Sequence, residues 1–259
     1  MPYGTKNTLL IPKEKLTEGR TVTYGIIVAK IRPQKSETHP TRITVGRNLI
    51  SFPGDVTTPT PDLIMVKLIF SSVLSTKNVK FVCADIANFY LNNPMNIYKY
   101  IKLPLNIIRE EIIQQYNLRN LAHKGFVYMD IQKGMYGLPL AGKFANDKLK
   151  LHLAKFGYEP APIAPGLWRH QTRPLQFSLV VDDLGIKYER QEDTTHLLDA
   201  LQTIYKISED WDGKLYCGLN LEWYYYKRKV LVSMPSYVTK SLHNFQRPTL
   251  KRAQYALHQ

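Results

Sequence analysis

Cysteine is nearly absent. Cys83 and Cys217 are the only two in 259 residues, far apart and each in an apolar segment. That excludes a disulfide framework and a thiolate zinc cage, and leaves both reading as small buried hydrophobes. The seven histidines show no paired metal-ligand spacing. Long apolar runs are missing too. The most apolar stretch, residues 63–74, is short and broken by Lys67, too short to span a bilayer. Residues 1–15 lack the apolar core of a secretory signal. Acidic residues are scarce, 21 against 35 Lys and Arg, which leaves a formal net charge of +14. An excess of that size suits an anionic partner, most simply a nucleic-acid backbone. The positive charge is spread along the chain, however, and many basic proteins bind no nucleic acid. These features imply a soluble, intracellular chain without a membrane partner.

What is present is a succession of short elements without internal repeats. Residues 20–28 and 41–45 read as β-branched strands, with a break at 32–36. Residues 53–61 are turn-rich. Residues 62–75 have helical apolar spacing, with Asp62 as the cap. An apolar strand over 79–84 then ends on Asp85. Residues 94–130 mix charged and apolar positions, with helical spacing at 107–116 and a short strand at 126–129. An amphipathic helix is expected over 140–156, stopped by Gly157. Strands flank Asp182 and Asp183, a second amphipathic helix covers 193–205, a hairpin covers 215–226 and 229–234, and a last short helix covers 235–245. From 81 to 226 the order strand, helix, strand, strand, helix, strand predicts an α+β fold on a ferredoxin-like (split βαβ) antiparallel sheet.

That topology gives three carboxylates a common address. Val181-Asp182-Asp183 ends the apolar run 177–181, and Leu184-Gly185-Ile186 follows it. A lone Asp-Asp pair in a hairpin is usually a solvated turn, since Asp bonds its own backbone there. Here the pair interrupts two apolar strands, where adjacent carboxylates repel unless a cation sits between them. The split βαβ order also brings Asp85 beside them. Three such groups at adjacent strand ends can hold two divalent cations, the arrangement that stabilises both oxygens in phosphoryl transfer.

Several ordered blocks then resemble the reverse transcriptase of copia-type long-terminal-repeat retrotransposons, across nearly the whole chain. Ala84-Asp85-Ile86-Ala87-Asn88-Phe89-Tyr90-Leu91-Asn92 is similar to the family's first catalytic block. Gly134-Met135-Tyr136-Gly137-Leu138-Pro139-Leu140-Ala141-Gly142 is similar to its Tyr-Gly-Leu block. Leu179-Val180-Val181-Asp182-Asp183 is similar to its two-aspartate block, and Gly218-Leu219-Asn220-Leu221-Glu222 to its primer-gripping hairpin. The resemblance implies a right-hand polymerase with fingers, palm and a minimal thumb. The expected division is fingers 1–79, palm 80–93, a fingers insertion 94–134, palm 135–212, primer-grip hairpin and start of the thumb 213–245, and a basic tail 246–259.

It further implies an RNA-directed DNA polymerase that joins a deoxynucleotide to a primer 3′-hydroxyl with two Mg2+ or Mn2+ ions. Asp85 and Asp182 would hold both ions, with Asp183 in support and the Ile86 carbonyl as a further ligand. Tyr90 would lie under the sugar and reject a 2′-hydroxyl, although Phe89 and Tyr90 could equally pack a core. Arg42 is preferred over Lys30, Arg32 and Lys35 for the triphosphate, and Leu140 stands where the family carries a nucleotide-touching glutamine. Gly218, Leu219 and Trp223 would meet primer and template. The aromatic-cationic run 223–228 suits stacking on nucleic acid, or is an ordinary two-faced strand. Partners would be an RNA template, a DNA primer, deoxynucleotide triphosphates and other parts of a Pol polyprotein, in the cytoplasm within a virus-like particle or in the nucleus.

Leu140, Ala87 in place of a lysine, and Arg47 in the glycine-rich turn depart from the pattern. No capsid, protease, integrase or ribonuclease H segment is read in the chain, so a fragment of a degenerate element is expected. The alternative expectation is a catalytically inactive remnant that only binds nucleic acid. A nucleotidyl cyclase on the same sheet type is a third, disfavoured by the extended region before residue 80 and by Tyr90.

Overall fold

A computed structural model describes residues 7–29, 41–50 and 54–246. Lys30, Arg32, Lys35 and the tail after Gln246 lie outside the described residues. In chain order the elements begin with β1 (Thr8–Ile11), β2 (Val22–Ala29), β3 (Thr41–Val45), α1 (Leu63–Ser75) and β4 (Lys80–Ile86). Then come β5 (Pro94–Pro104), α2 (Glu110–Gln115), α3 (Leu118–Leu121), β6 (Phe126–Lys133), α4 (Ala141–Ala154), β7 (Tyr158–Pro160) and β8 (Leu167–His170). The rest are β9 (Leu175–Val180), β10 (Asp183–Tyr188), α5 (Gln191–Gln202), β11 (Ile207–Asp210), β12 (Leu215–Tyr216), β13 (Leu219–Tyr224), β14 (Lys229–Ser233) and α6 (Pro235–Asn244).

The strands form a mixed α+β structure with three sheets among the described residues, ordered β1-β6-β5-β2-β3, β11-β4-β10-β9-β8-β7 and β12-β13-β14. The second sheet carries the carboxylates. Its strand β4 is apolar on both faces, which is what a central strand covered on both sides requires. Val82, Ala84 and Ile86 face α4 and α5, whose Ala145, Leu149, Leu153, Leu197 and Leu201 join them in one core. Phe81 and Cys83 face the other way, onto Phe70 and Val73 of α1 and Tyr216 and Leu221 of the third sheet. Leu184 and Ile186 of β10 repeat the first pattern. Lys187 shares the second face, where its Nζ donates to Ser72 Oγ on α1 at 2.6 Å.

Three expectations change. Helix α1, capped by the Asp62 carboxylate accepting from the Met65 N–H at 2.7 Å, packs on the second sheet and so does not belong with the N-terminal strands. The fourth strand of the split unit is β11, paired with β4, and not the 215–226 segment, which with β14 builds a separate small sheet. Residues 94–104 and 126–133 form two long strands of the first sheet. There Ile101 and Ile131 are fully buried.

Candidate functional site

Register sets the geometry of the carboxylates. Asp183 lies directly opposite Asp85 across β10 and β4. One step along, the Ile86 N–H donates to the Asp182 carbonyl at 2.8 Å. Bonded and non-bonded pairs alternate along an antiparallel ladder, so Asp85 and Asp183 form a non-hydrogen-bonded pair, the closer kind, with Cα atoms about 4.5 Å apart. Both side chains stand on the Phe81–Cys83 face, by the two-residue period of a strand. Asp182 is the second residue of the two-residue turn between Val180 and Asp183. The turn is therefore Val181-Asp182, one residue earlier than the acidic pair itself. An antiparallel residue sends its N–H and C=O toward the same neighbour, so the Ile86 carbonyl also points to this turn.

Val181 has φ +60°, which a β-branched residue adopts only under strain. A positive φ at the first central position is the signature of a II′ turn, where glycine is the usual occupant. Sequence reading missed Val181, because nothing in a Val-Asp-Asp string announces a left-handed valine. Strain of this kind persists where the surroundings over-determine it, typically at sites that use the geometry.

The aromatic arm is a second, independent arrangement. The Tyr90 ring meets the Tyr136 ring edge-on, with centroids 5.5 Å apart. The Arg42 guanidinium carbon lies 4.9 Å from the centre of the Tyr136 ring. Burial, then the Asp182 charge and Tyr136, push the Tyr90 phenol above its ordinary value, so Tyr90 sits within electrostatic reach of the turn. Thr58, Thr60, Tyr90, Gly142, Asn146 and Val181 line a pocket beside it. Arg42 reaches this place because β3 is locked to the loop after β6. The Val45 N–H donates to the Tyr136 carbonyl at 2.8 Å, and Gly137, at φ +94°, leaves no room for a Cβ, which would lie 2.2 Å from the Val45 carbonyl oxygen.

Other expected residues fall elsewhere. Leu140 is 4% exposed and packs in the core of the first sheet with Met95 and Leu138, and it is not among the residues that line the pocket beside Tyr90. Trp223 also turns inward. Its ring stacks on Tyr225 at 5.5 Å and 4° and packs on Phe81 at 5.1 Å, while its N–H donates to the Gly213 carbonyl at 3.0 Å. Gly218 and Cys217, at φ +79° and +50°, make the tight turn before Leu219. Burial, then the Asp183 charge, push the Cys217 thiol up to about 12, so this turn lies beside the carboxylates. Tyr226 is the exposed aromatic of its run, at 80%, with Lys227 Nζ 5.4 Å from its ring centre.

Three carboxylates are hard oxygen donors, the chemistry that suits Mg2+ or Mn2+. Among the described residues no group of three or more His, Cys, Asp or Glu side chains is placed to hold a metal ion. Mg2+ does not require such a group, because it commonly keeps its waters and binds through one or two carboxylates plus substrate phosphates. No protein-family model matches the chain, and no curated protein matches it. Among the described residues no helix is long and apolar enough to cross a membrane.

Proposed function

We propose that this chain is the RNA-directed DNA polymerase domain of a copia-type retrotransposon element. In this reading the first sheet serves as fingers, the second as a split βαβ palm, and β12 to α6 as the primer-grip hairpin and a small thumb. The observation that carries it is the opposed pair Asp85 and Asp183 with Asp182 at the tip of a strained turn. Carboxylates directly opposite one another across a ladder repel, and hard oxygen donors at adjacent strand ends suit a divalent cation.

Asp85, Asp182 and Asp183, with the Ile86 carbonyl, would hold the ions. Two bound ions would stabilise the attacking and leaving oxygens of an in-line displacement at the α-phosphate of a deoxynucleotide. The chain's own residues supply position. The Ile86–Asp182 backbone bond fixes the turn against β4. Tyr90 presents a flat ring, backed by Tyr136, against which a 2′-hydroxyl would clash. Arg42, held over the Tyr136 ring, brings a permanent positive charge for a triphosphate. The net charge of +14 suits a template-primer duplex.

The second reading is a nucleic-acid binder without turnover, favoured by Leu140, Ala87 and Arg47, which depart from the family pattern, and by the burial of the Leu140 side chain. Primer extension on an RNA template with Mg2+ or Mn2+ separates the two. Asp182→Asn and Asp85→Ala are expected to abolish incorporation while leaving duplex binding intact. Incorporation retained by Asp85→Ala would end the polymerase assignment of this site, and binding without incorporation by the native chain would favour the second reading.

A further inference from the structure

Tyr90 is held by a device that neither the carboxylates nor the pocket requires. It lies in the turn that follows β4, residues 87–93, and three asparagines fasten this turn. Asn93 Nδ2 donates to the Phe89 carbonyl at 2.5 Å, and the Asn93 N–H donates to the Tyr90 carbonyl at 3.2 Å. Asn92 Nδ2 donates to the Ala87 carbonyl at 3.1 Å. The Asn93 carbonyl in turn accepts the Gly134 N–H at 2.8 Å. Asn7, ahead of β1, reaches in from far along the chain. Its Nδ2 donates to the Leu91 carbonyl at 3.3 Å and to the Gly134 carbonyl at 3.1 Å. Its own carbonyl accepts the Gln132 N–H at 2.8 Å.

Gly134 closes the contact. A Cβ there would lie 2.4 Å from the Tyr90 carbonyl oxygen, so the backbone carrying Tyr90 rests directly on the backbone two residues before Tyr136. The two rings that meet edge-on are thus fixed by one backbone junction, and Asn7 bridges its two sides. Asn7 and Asn93 are 7% and 2% exposed, and each buries its Oδ1 without a partner among the described residues. A buried amide oxygen left unpaired is unfavourable, and a fold built for stability alone would replace it. Two in one junction suggest that the donors are retained for position.

We infer that Asn7 and Asn93 are positioning residues that hold the Tyr90 ring in place, so that Asn7 sets how strictly a 2′-hydroxyl is rejected. The inference rests on the polymerase reading for its consequence, though not for its geometry. Asn7 is buried and does not line the pocket beside Tyr90. It acts through the turn, and a loosened ring would yield to the extra hydroxyl.

The test uses the full chain, Asn7→Ala, and Ile11→Ala as a control that weakens β1, where Ile11 is 7% exposed, without touching the junction. The ratio of kcat/KM for a deoxynucleotide to that for its ribonucleotide is independent of the active fraction of enzyme. A misplacement of the ring by a fraction of an ångström is expected to lower this ratio about tenfold in Asn7→Ala, mostly through a lower KM for the ribonucleotide, and to leave it unchanged in Ile11→Ala. A ratio that stays within about twofold of the native value in Asn7→Ala overturns the inference. Amide exchange gives a readout that needs no activity. Loss of protection at Gly134 and Asn93 in Asn7→Ala, beyond that in Ile11→Ala, supports the positioning role, and equal protection in the two variants overturns it. A native chain that incorporates nothing refutes the polymerase reading, while the exchange result still decides whether Asn7 holds the turn.

Discussion

Replacing Val181 by glycine and by alanine should reverse the usual order of stability of these two residues. The valine holds φ +60° in the turn, a conformation that costs about 1–3 kcal/mol for a residue with a Cβ. Its side chain is 39% exposed, so truncation to alanine gives up partly buried methyl groups worth about 1 kcal/mol and keeps the backbone strain. Glycine gives up the same methyl groups and releases the strain, against a flexibility cost of about 0.5–1 kcal/mol. Val181→Gly is therefore expected to be more stable than Val181→Ala by about 1 kcal/mol, whereas glycine normally loses to alanine by nearly that much. Denaturant unfolding with a check for unchanged slope measures the difference, and melting temperatures should separate by about 2–4 °C for a chain of this size. Alanine proving the more stable of the two would mean that the turn stores no strain. Under the polymerase reading, Val181→Gly should also lower kcat, because the relaxed turn no longer fixes Asp182 and Asp183.

Leu140→Gln places an amide among Met95 and Leu138 and is expected to cost about 1–3 kcal/mol. A stable variant with tighter nucleotide binding would restore the role that the family resemblance implies for this position. Asp193 is fully buried. Burial alone would raise its carboxyl, but hydrogen bonds from Arg173 at 2.7 Å and Arg190 at 3.0 Å outweigh that and hold it below the ordinary 3.8. Its contribution is thus present above the unfolded value and lost as pH falls through the folded one. The stability gap between the native chain and Asp193→Asn should be constant above about pH 5 and shrink below about pH 4, and acid unfolding curves that stay parallel would refute this. Trp223→Ala should cost about 3 kcal/mol, at the low end for a large aromatic in a core, whereas Tyr226→Ala should leave stability alone and, under the polymerase reading, weaken template-primer binding. The reverse pattern in melting and binding titrations would return Trp223 to the nucleic-acid surface.

The sequence was most legible where burial is one-sided or long. Helix α4, Ala141–Ala154, lies within the expected 140–156 because its apolar spacing and Gly157 define both face and end. The adjacency of Asp85 to the acidic turn followed from the order of elements alone. Strand β11, Ile207–Asp210, escaped notice because a four-residue edge strand reading Ile-Ser-Glu-Asp lacks apolar alternation, and its pairing with β4 is settled by tertiary contact. Long β5 was hidden by its mixture of lysines and isoleucines. Helix α1 reads the same on either sheet, since periodicity gives a face and no address. Within the candidate site, the carboxylates, Tyr90 and Arg42 came from motif and chemistry. The inward turn of Leu140 and Trp223, the strain at Val181 and the bridge from Asn7 depend on backbone positions that no local pattern encodes.

The two large sheets are interlaced along the chain. The first draws on residues 8–45 and 94–133, the second on 80–86 and 158–210, so β4 is laid down between two instalments of its neighbour. During synthesis β1 must wait for β6, more than a hundred residues later, and β4 for both β10 and β11. Late closure of this kind favours slow folding with exposed strand edges in the interim. It also means that neither sheet can be excised, swapped or expressed by a single cut, and that a nick in the link between β4 and β5 would sever the turn carrying Tyr90 while leaving every strand of both sheets in hand.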